Sequence, residues 1–222
     1  MNPKNPIPDV KNKGAFEILE SAVKKYKSDK PLVVGITGSG GAGKTTFGKN
    51  IVIYYGSENC VSIDLDDYLI PRETRGKLGI TGYHPKANKL FEARSNIIEL
   101  ISRKSILKPC YDHSTGKVLS NETISPREII VIEGVTPLYP ELVELNNISF
   151  FLDANEETQI QSRIERDVKE RNYSLEEALI LYESLKPDYK KLIEPTKQLV
   201  DVIFEVGIDY VMHPIHINPK FV

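Results

Sequence analysis

Residues 35–48 read GITGSGGAGKTTFG, and within them Gly38 to Thr45 satisfies the pattern G-x-x-x-x-G-K-[ST] at every position. Upstream, LVVGIT at 32–37 is a β-branched apolar run introduced by Pro31, which predicts a buried strand. Downstream, KTTFGKNIVIYY predicts a helix. A glycine-rich turn between a strand and a helix lets successive backbone N–H groups approach an anion, and the helix presents its positive end to the same point. The loop residues Gly38, Ser39, Gly40, Gly41, Ala42, Gly43, Lys44, Thr45 and Thr46 are therefore candidates to bind the phosphates of a nucleotide. Lys44 would reach the β- and γ-phosphates and the Thr45 hydroxyl a Mg²⁺ ion.

Working outward, residues 15–26 place Phe16, Ile18, Leu19, Ala22, Val23 and Tyr26 at helical spacing. CVSIDLDDYL predicts a second strand ending in acidic residues, EIIVIEG and ISFFLD two more that each close on a carboxylate, and LVDVIFEV a last one. LFEARSNIIELISR is amphipathic, and residues 155–171 and 174–186 predict two helices, the second opened by a capping box of Ser174 and Glu177. IPRETRGKLGITGYHPKAN reads as irregular, and SILKPCYDHSTGKVLS as two strands joined by a turn at Ser114–Gly116. This alternation predicts an α/β fold, a three-layer P-loop NTPase sandwich with a mainly parallel sheet and a small β-hairpin/loop insertion on the acceptor side. The expected organisation is a flexible arm at 1–12, one domain at 13–206 and a C-terminal tail at 207–222. Within the domain, an acceptor-side insertion occupies 71–120 and an arginine-bearing lid 155–172. Ligands of such sheets gather beyond the carboxyl ends of the strands, so Asp64, Asp66, Asp67, Glu133 and Asp153 form one candidate neighbourhood.

The 222 residues suit one sizeable core, and a formal charge of −2 supplies no general attraction to nucleic acid or membrane. No run approaches membrane-spanning length, and Cys60 and Cys110 read as buried thiols in a reducing compartment, so a cytoplasmic protein is expected. His213 and His216 stand three apart without a neighbouring carboxylate or thiol, a poor metal site.

Whether the phosphate is held or moved depends on other residues. No Asp-x-x-Gly occurs, and Asn88-Lys89-Leu90 is followed by Phe91 where a guanine reader needs Asp, which argues against a switch GTPase. A small-molecule kinase needs a carboxylate to take the acceptor hydroxyl's proton, and Asp66 is the first candidate with Asp67 a near alternative. Glu133 would complete the Mg²⁺ shell directly or through water, so Thr45, Glu133 and Asp66 are the candidate metal-side groups. Arg163 and Arg166, three apart on one helical face with Arg171 beyond, form either a lid over the transferred phosphoryl group or a solvated face paired as Glu165/Lys169 and Arg166/Glu170.

With GSGGAGKTT, DLDDYL, YHPKAN, KPCYDHSTGKV, VIEGV, SRIERDVKER and IEPTKQLVDVIF in this order, the chain resembles the phosphoribulokinase/uridine kinase family of P-loop kinases from about Leu32 to Val206. The resemblance implies Asp66 as catalytic base, Thr45 and Glu133 around Mg²⁺, and Lys44, Arg163 and Arg166 on the transferred group. Uridine kinases typically carry Asp before the His-Pro, where this chain has Tyr83, and Tyr-Asp-Phe-x-x-His at the hairpin, where it has Tyr111-Asp112-His113-Ser114-Thr115-Gly116. PKAN and YDHSTGK look closer to phosphoribulokinases, especially short archaeal-type ones, which take a sugar phosphate. Arg72, Arg75, Lys77, His84 and Lys86 would then be cations for that phosphate or solvated loop charges. Asp67, Tyr68, Arg72, Arg75, Tyr83, His84, Tyr111 and His113 are the candidate acceptor-binding residues. The expected activity is transfer of the γ-phosphate of ATP to a hydroxyl of a pentose phosphate such as ribulose 5-phosphate. A uridine/cytidine kinase and a non-catalytic nucleotide-binding regulator are the alternatives. The expected partners are ATP and a small-molecule acceptor, with a homo-oligomer left open.

Overall fold

The computed structural model describes residues 2–26, 28–171 and 173–221. Eight strands are labelled β1 (Leu32–Gly38), β2 (Cys60–Asp64), β3 (Ile106–Asp112), β4 (Lys117–Ile124), β5 (Ile129–Glu133), β6 (Ile148–Ala154), β7 (Val202–Val206) and β8 (Met212–Ile217). The longer helices are α1 (Lys13–Lys25), α2 (Lys44–Tyr55), α3 (Arg72–Leu78), α4 (Leu90–Ile101), α5 (Glu156–Arg171) and α6 (Leu175–Asp188). Among the described residues a six-stranded sheet runs β2-β5-β1-β6-β7-β8, and β3 and β4 form a separate hairpin. The first five strands are parallel and β8 is antiparallel to β7.

The strands are apolar throughout because both faces are covered. On one face Val34, Ile36, Val131, Phe150 and Phe204 meet Phe16 and Leu19 of α1 and Phe47 and Ile51 of α2. On the other, Val33, Ile130, Ile132 and Phe151 meet Leu90, Ala93, Ile97 and Leu100 of α4 and Leu185 of α6. Residues of opposite parity thus build the two cores of a three-layer sandwich, as predicted. Ser174 and Glu177 form the expected capping box at the start of α6.

Four features differ from the sequence reading. LVDVIFEV is not the last strand: the tail supplies β8, and Phe221 packs against Tyr26 of the body. The arm is tied down rather than loose, with the Lys4 and Asn5 N–H groups donating to the Tyr54 carbonyl and Asn12 buried. The stretch read as irregular contains α3, because Pro71 and Gly79 punctuate a helix there: Gly79 takes φ +64 as its left-handed cap and donates to the Arg75 and Gly76 carbonyls. Finally, α4 lies inside 71–120 yet belongs to the sandwich, which leaves α3 with its flanking turns and the β3–β4 hairpin as the part of that stretch outside it.

Candidate active site

The chain leaves β1 at Gly38, where a Cβ would stand 2.0 Å from the Leu152 carbonyl oxygen, so only glycine permits the approach of β6. Ser39 is a buried pin: its hydroxyl donates to the Leu152 carbonyl and accepts from the Ala154 N–H. Ala42 is buried, while Thr45 and Thr46 stay exposed in the first turn of α2. The Lys44 ammonium folds onto its own loop, donating to the Gly38 and Ser39 carbonyls at 3.2 and 2.8 Å. Burial pulls its pKa below the usual lysine range, against the opposite pull of Asp66 and Glu133.

The parallel pairing of β2 and β5 sets Asp64 beside Glu133 at the carboxyl ends of both strands. Asp64 accepts the Asp66 N–H at 2.8 Å and so caps the 3-10 turn Leu65–Tyr68, which swings Asp66 over Gly134. Burial, with Asp66 second, raises the Glu133 carboxyl to about 7, against the opposite pull of Lys44 and of the Thr45 hydroxyl near it. Asp64 is raised by the same causes. A hydroxyl and clustered carboxyls held near protonation form a hard-oxygen set whose charge a divalent cation would relieve, and these residues fit Mg²⁺. Among the described residues no group of three His, Cys, Asp or Glu makes an all-protein metal cage. A magnesium ion here would draw further ligands from phosphate and water.

Lys44 and Asp66 open on a cavity of about 360 Å³ bounded by the loop, α3, the hairpin turn, α5 and α6. Among the described residues, five cationic side chains line it, Lys44, Arg72, Arg75, Arg163 and Arg166, against one carboxylate, Asp66; Thr81, Tyr83, His113, Tyr173 and Ser184 add polar groups to the wall. Arg72 donates to the His113 and Ser114 carbonyls, which pulls the hairpin turn toward α3, and lies 5.7 Å from the Tyr173 ring. Arg75 donates to the Tyr111 hydroxyl at 2.8 Å. Arg163 donates to the Tyr83 hydroxyl at 3.2 Å, and the Nε atoms of Arg163 and Arg166 lie 3.6 and 3.7 Å from the carboxylate of the fully buried Asp167.

Several residues expected to touch an acceptor stand elsewhere. Asp67 is paired with Lys108 and accepts the Tyr111 N–H, so it anchors the hairpin and leaves Asp66 as the carboxylate facing the cavity. Tyr68 is a core residue whose hydroxyl accepts from Asn96. His84 caps the turn at Pro85–Ala87, Tyr111 stands behind Arg75, and Lys77 pairs with Glu73 on the surface. Asp153 pairs with Lys197, away from the acidic group on β2 and β5. On α5, Glu165 and Lys169 pair as read; the side chains of Glu170 and Arg171, and Asn172, lie outside the described residues. Asp167 and Tyr173 escaped the sequence reading. Asp167 follows Arg163 by four and Arg166 by one, a spacing that pointed to it, whereas no local signal marked Tyr173. A larger, more open groove of about 580 Å³ beside the β2 edge, with Lys49, Cys60 and Arg127, holds no carboxylate.

The model of the family described as Phosphoribulokinase / Uridine kinase matches residues 33–212. The chain belongs to the phosphoribulokinase/uridine kinase family. Among family members, it is 38% identical over 180 residues to the phosphoribulokinase of Synechocystis sp., covering 80% of this chain and 54% of that protein. It is 34% identical over 190 residues to the uridine kinase of Ligilactobacillus salivarius, covering 82% and 88%. The chain thus spans about half the length of the curated phosphoribulokinases it matches and most of the uridine kinase. Its fold is shared with D-glycerate 3-kinase from Cryptococcus neoformans at a TM-score of 0.67 and 14% identity, covering 91% of this chain and 98% of that one. It is shared also with phosphoribulokinase from Rhodobacter spheroides at 0.60 and 17%, covering 81% and 71%.

Proposed function

We propose that this chain transfers the γ-phosphate of ATP to a hydroxyl of a pentose phosphate such as ribulose 5-phosphate. The observation that carries this reading is that, among the described residues lining the cavity, Arg72 and Arg75 stand beyond the cations on the phosphate-loop side and face a single carboxylate, a balance suited to an acceptor that brings its own phosphate. The loop amides and Lys44 hold the ATP phosphates. Arg72 and Arg75 hold the acceptor's phosphate on the far wall, which turns a hydroxyl toward Asp66. Asp66 takes the hydroxyl proton as its oxygen bonds the γ-phosphorus and the bond to the β,γ-bridging oxygen breaks, releasing ADP. Arg163 and Arg166 neutralise the charge spread over the moving phosphoryl group. Thr45 and Glu133, with Asp66 nearby, would hold Mg²⁺, which supplies charge neutralisation at the phosphates.

A nucleoside kinase is the second reading, favoured by the near-full-length match to a uridine kinase. Against it, the position before His84-Pro85 holds Tyr83, whose hydroxyl is taken by Arg163. The deciding experiment measures ADP release with Mg·ATP against ribulose 5-phosphate, ribose 5-phosphate, uridine, cytidine and a blank without acceptor. Turnover on a pentose phosphate is expected. Turnover on uridine alone would select the second reading, and silence with tight ATP binding would point to a nucleotide-binding regulator. A cytoplasmic setting accords with the free thiols of Cys60 and Cys110 and with the lack, among the described residues, of a helix long and apolar enough to cross a membrane.

A further inference from the structure

The phosphate loop has two flanks. At Gly40 it faces the acceptor cavity, with Arg163 and the Tyr83 hydroxyl beside it. At Gly43 its neighbour is Tyr210, from the loop between β7 and β8: the ring carbons Cδ1 and Cε1 lie 3.4 and 3.9 Å from where a Gly43 Cβ would stand. Tyr210 is outside the cavity lining and keeps 41% of its surface exposed. Its φ is +59, a left-handed conformation that a bulky side chain adopts only when its surroundings impose it. The surroundings do so here. The Tyr210 N–H donates to the Gly207 carbonyl, and buried Asn12 grips the backbone from the other side. Asn12 Nδ2 donates to the Tyr210 carbonyl at 3.0 Å and Asn12 Oδ1 accepts the Met212 N–H at 2.7 Å. The phenol hydroxyl donates to Ser162 on α5, and the Ser162 hydroxyl passes the chain on to the Thr158 carbonyl. A strained aromatic residue is thereby pinned from three sides and still left open to solvent at the loop.

We infer that the Tyr210 ring is the stacking platform for the purine base of the nucleotide. This rests on the ATP-dependent reading above. If the γ-phosphate points to Asp66 on the Gly40 flank, the nucleoside end leaves the loop on the Gly43 flank, where Tyr210 presents its ring. Stacking on an aromatic face holds a base without a dedicated hydrogen-bond motif. It also gives the N-terminal segment a function, because Asn12 sets the backbone that carries the ring.

The test compares Mg·ATP with Mg·tripolyphosphate, which has the phosphates and no base, by calorimetric binding to the full chain. In Tyr210→Ala, ATP affinity should fall about tenfold or more, the scale of one base-stacking contact, with tripolyphosphate affinity unchanged. Tyr210→Phe, which keeps the ring and loses the Ser162 bond, should restore most of the lost affinity. Unchanged ATP affinity in Tyr210→Ala would overturn the inference. So would an equal loss for both ligands, since Tyr210 would then only support the loop. Tripolyphosphate binding also reports that the variant's loop is folded. Wild-type protein that binds tripolyphosphate no more weakly than ATP would sink the base platform while sparing the phosphate loop; wild-type protein that binds neither would sink the kinase reading itself.

Discussion

Arg163, on α5, donates to the hydroxyl of Tyr83, in the turn after α3, across 3.2 Å at the edge of the phosphate loop. This bond joins two parts of the chain that are 80 residues apart. The same arginine's Nε lies 3.6 Å from the Asp167 carboxylate, an ion contact that favours this placement of the guanidinium before any phosphate arrives. Tyr83→Phe removes one hydrogen bond of about 1 kcal/mol and leaves the ring in place. Turnover should fall roughly fivefold while the melting temperature stays close to wild type; steady-state kinetics beside a thermal melt checks both.

Asp66→Asn keeps the shape of the cavity and removes the carboxylate proposed to take the acceptor's proton. ATP affinity should change little and turnover should drop by about 100-fold or more. If the variant turns over at the wild-type rate, Asp66 has no part in the chemistry.

Arg75 lines the wall opposite the phosphate loop, where burial lowers its pKa from the usual arginine range. Arg75→Met retains much of the side-chain bulk and deletes the charge. KM for a pentose phosphate should rise about 10- to 100-fold, the scale of a charge-assisted hydrogen bond, with KM for ATP nearly constant. A parallel rise in both constants would place Arg75 outside the acceptor site.

Asp167 is fully buried between two arginines that need its charge. Asp167→Ala removes the buried carboxylate beside both guanidinium groups and should cost about 3 kcal/mol of stability. Denaturant unfolding measures this; a loss under about 0.5 kcal/mol would show that the arginines find other partners.

The pH dependence follows from Glu133, whose carboxyl is raised to about 7 by burial first and Asp66 second. The folded chain retains a proton that the unfolded chain releases near pH 4.5, so this group's contribution is fully present below that pH and is lost as pH rises through 7. The metal-free protein should therefore lose stability between pH 5 and 8 by an amount on the order of 3 kcal/mol from this residue. In Glu133→Gln that share of the slope disappears, together with the part of the Asp64 shift that Glu133 causes, so melting curves of both proteins at pH 5 and pH 8 measure the two together.

Much of this was legible in the one-dimensional order of residues. The loop at Gly38–Thr46 announces itself because its function is carried by backbone N–H groups, and backbone access requires glycine at fixed local positions. The strands were legible because a parallel sheet covered on both faces must be apolar continuously. The capping box at Ser174 and Glu177 spans four residues and so needs no tertiary information. Where Pro71 and Gly79 bound a seven-residue helix, the same residues that signal a turn served as helix stops, and local composition could not separate the two.

By itself, then, the order of residues determined the phosphate loop, the alternation that makes the sandwich, and the acidic strand ends, each a matter of neighbours within a few positions. Only the tertiary structure showed that Asp66 and not Asp67 lines the cavity, because Lys108, 41 residues away, draws Asp67 into the hairpin. It likewise decided that Arg72 and Arg75 face the same cavity as Arg163 and Arg166, and that Asn12 holds Tyr210 against Gly43. These are pairings of side chains distant in the sequence, and their geometry exists only once the sheet order and the packing of the two cores have brought their elements together.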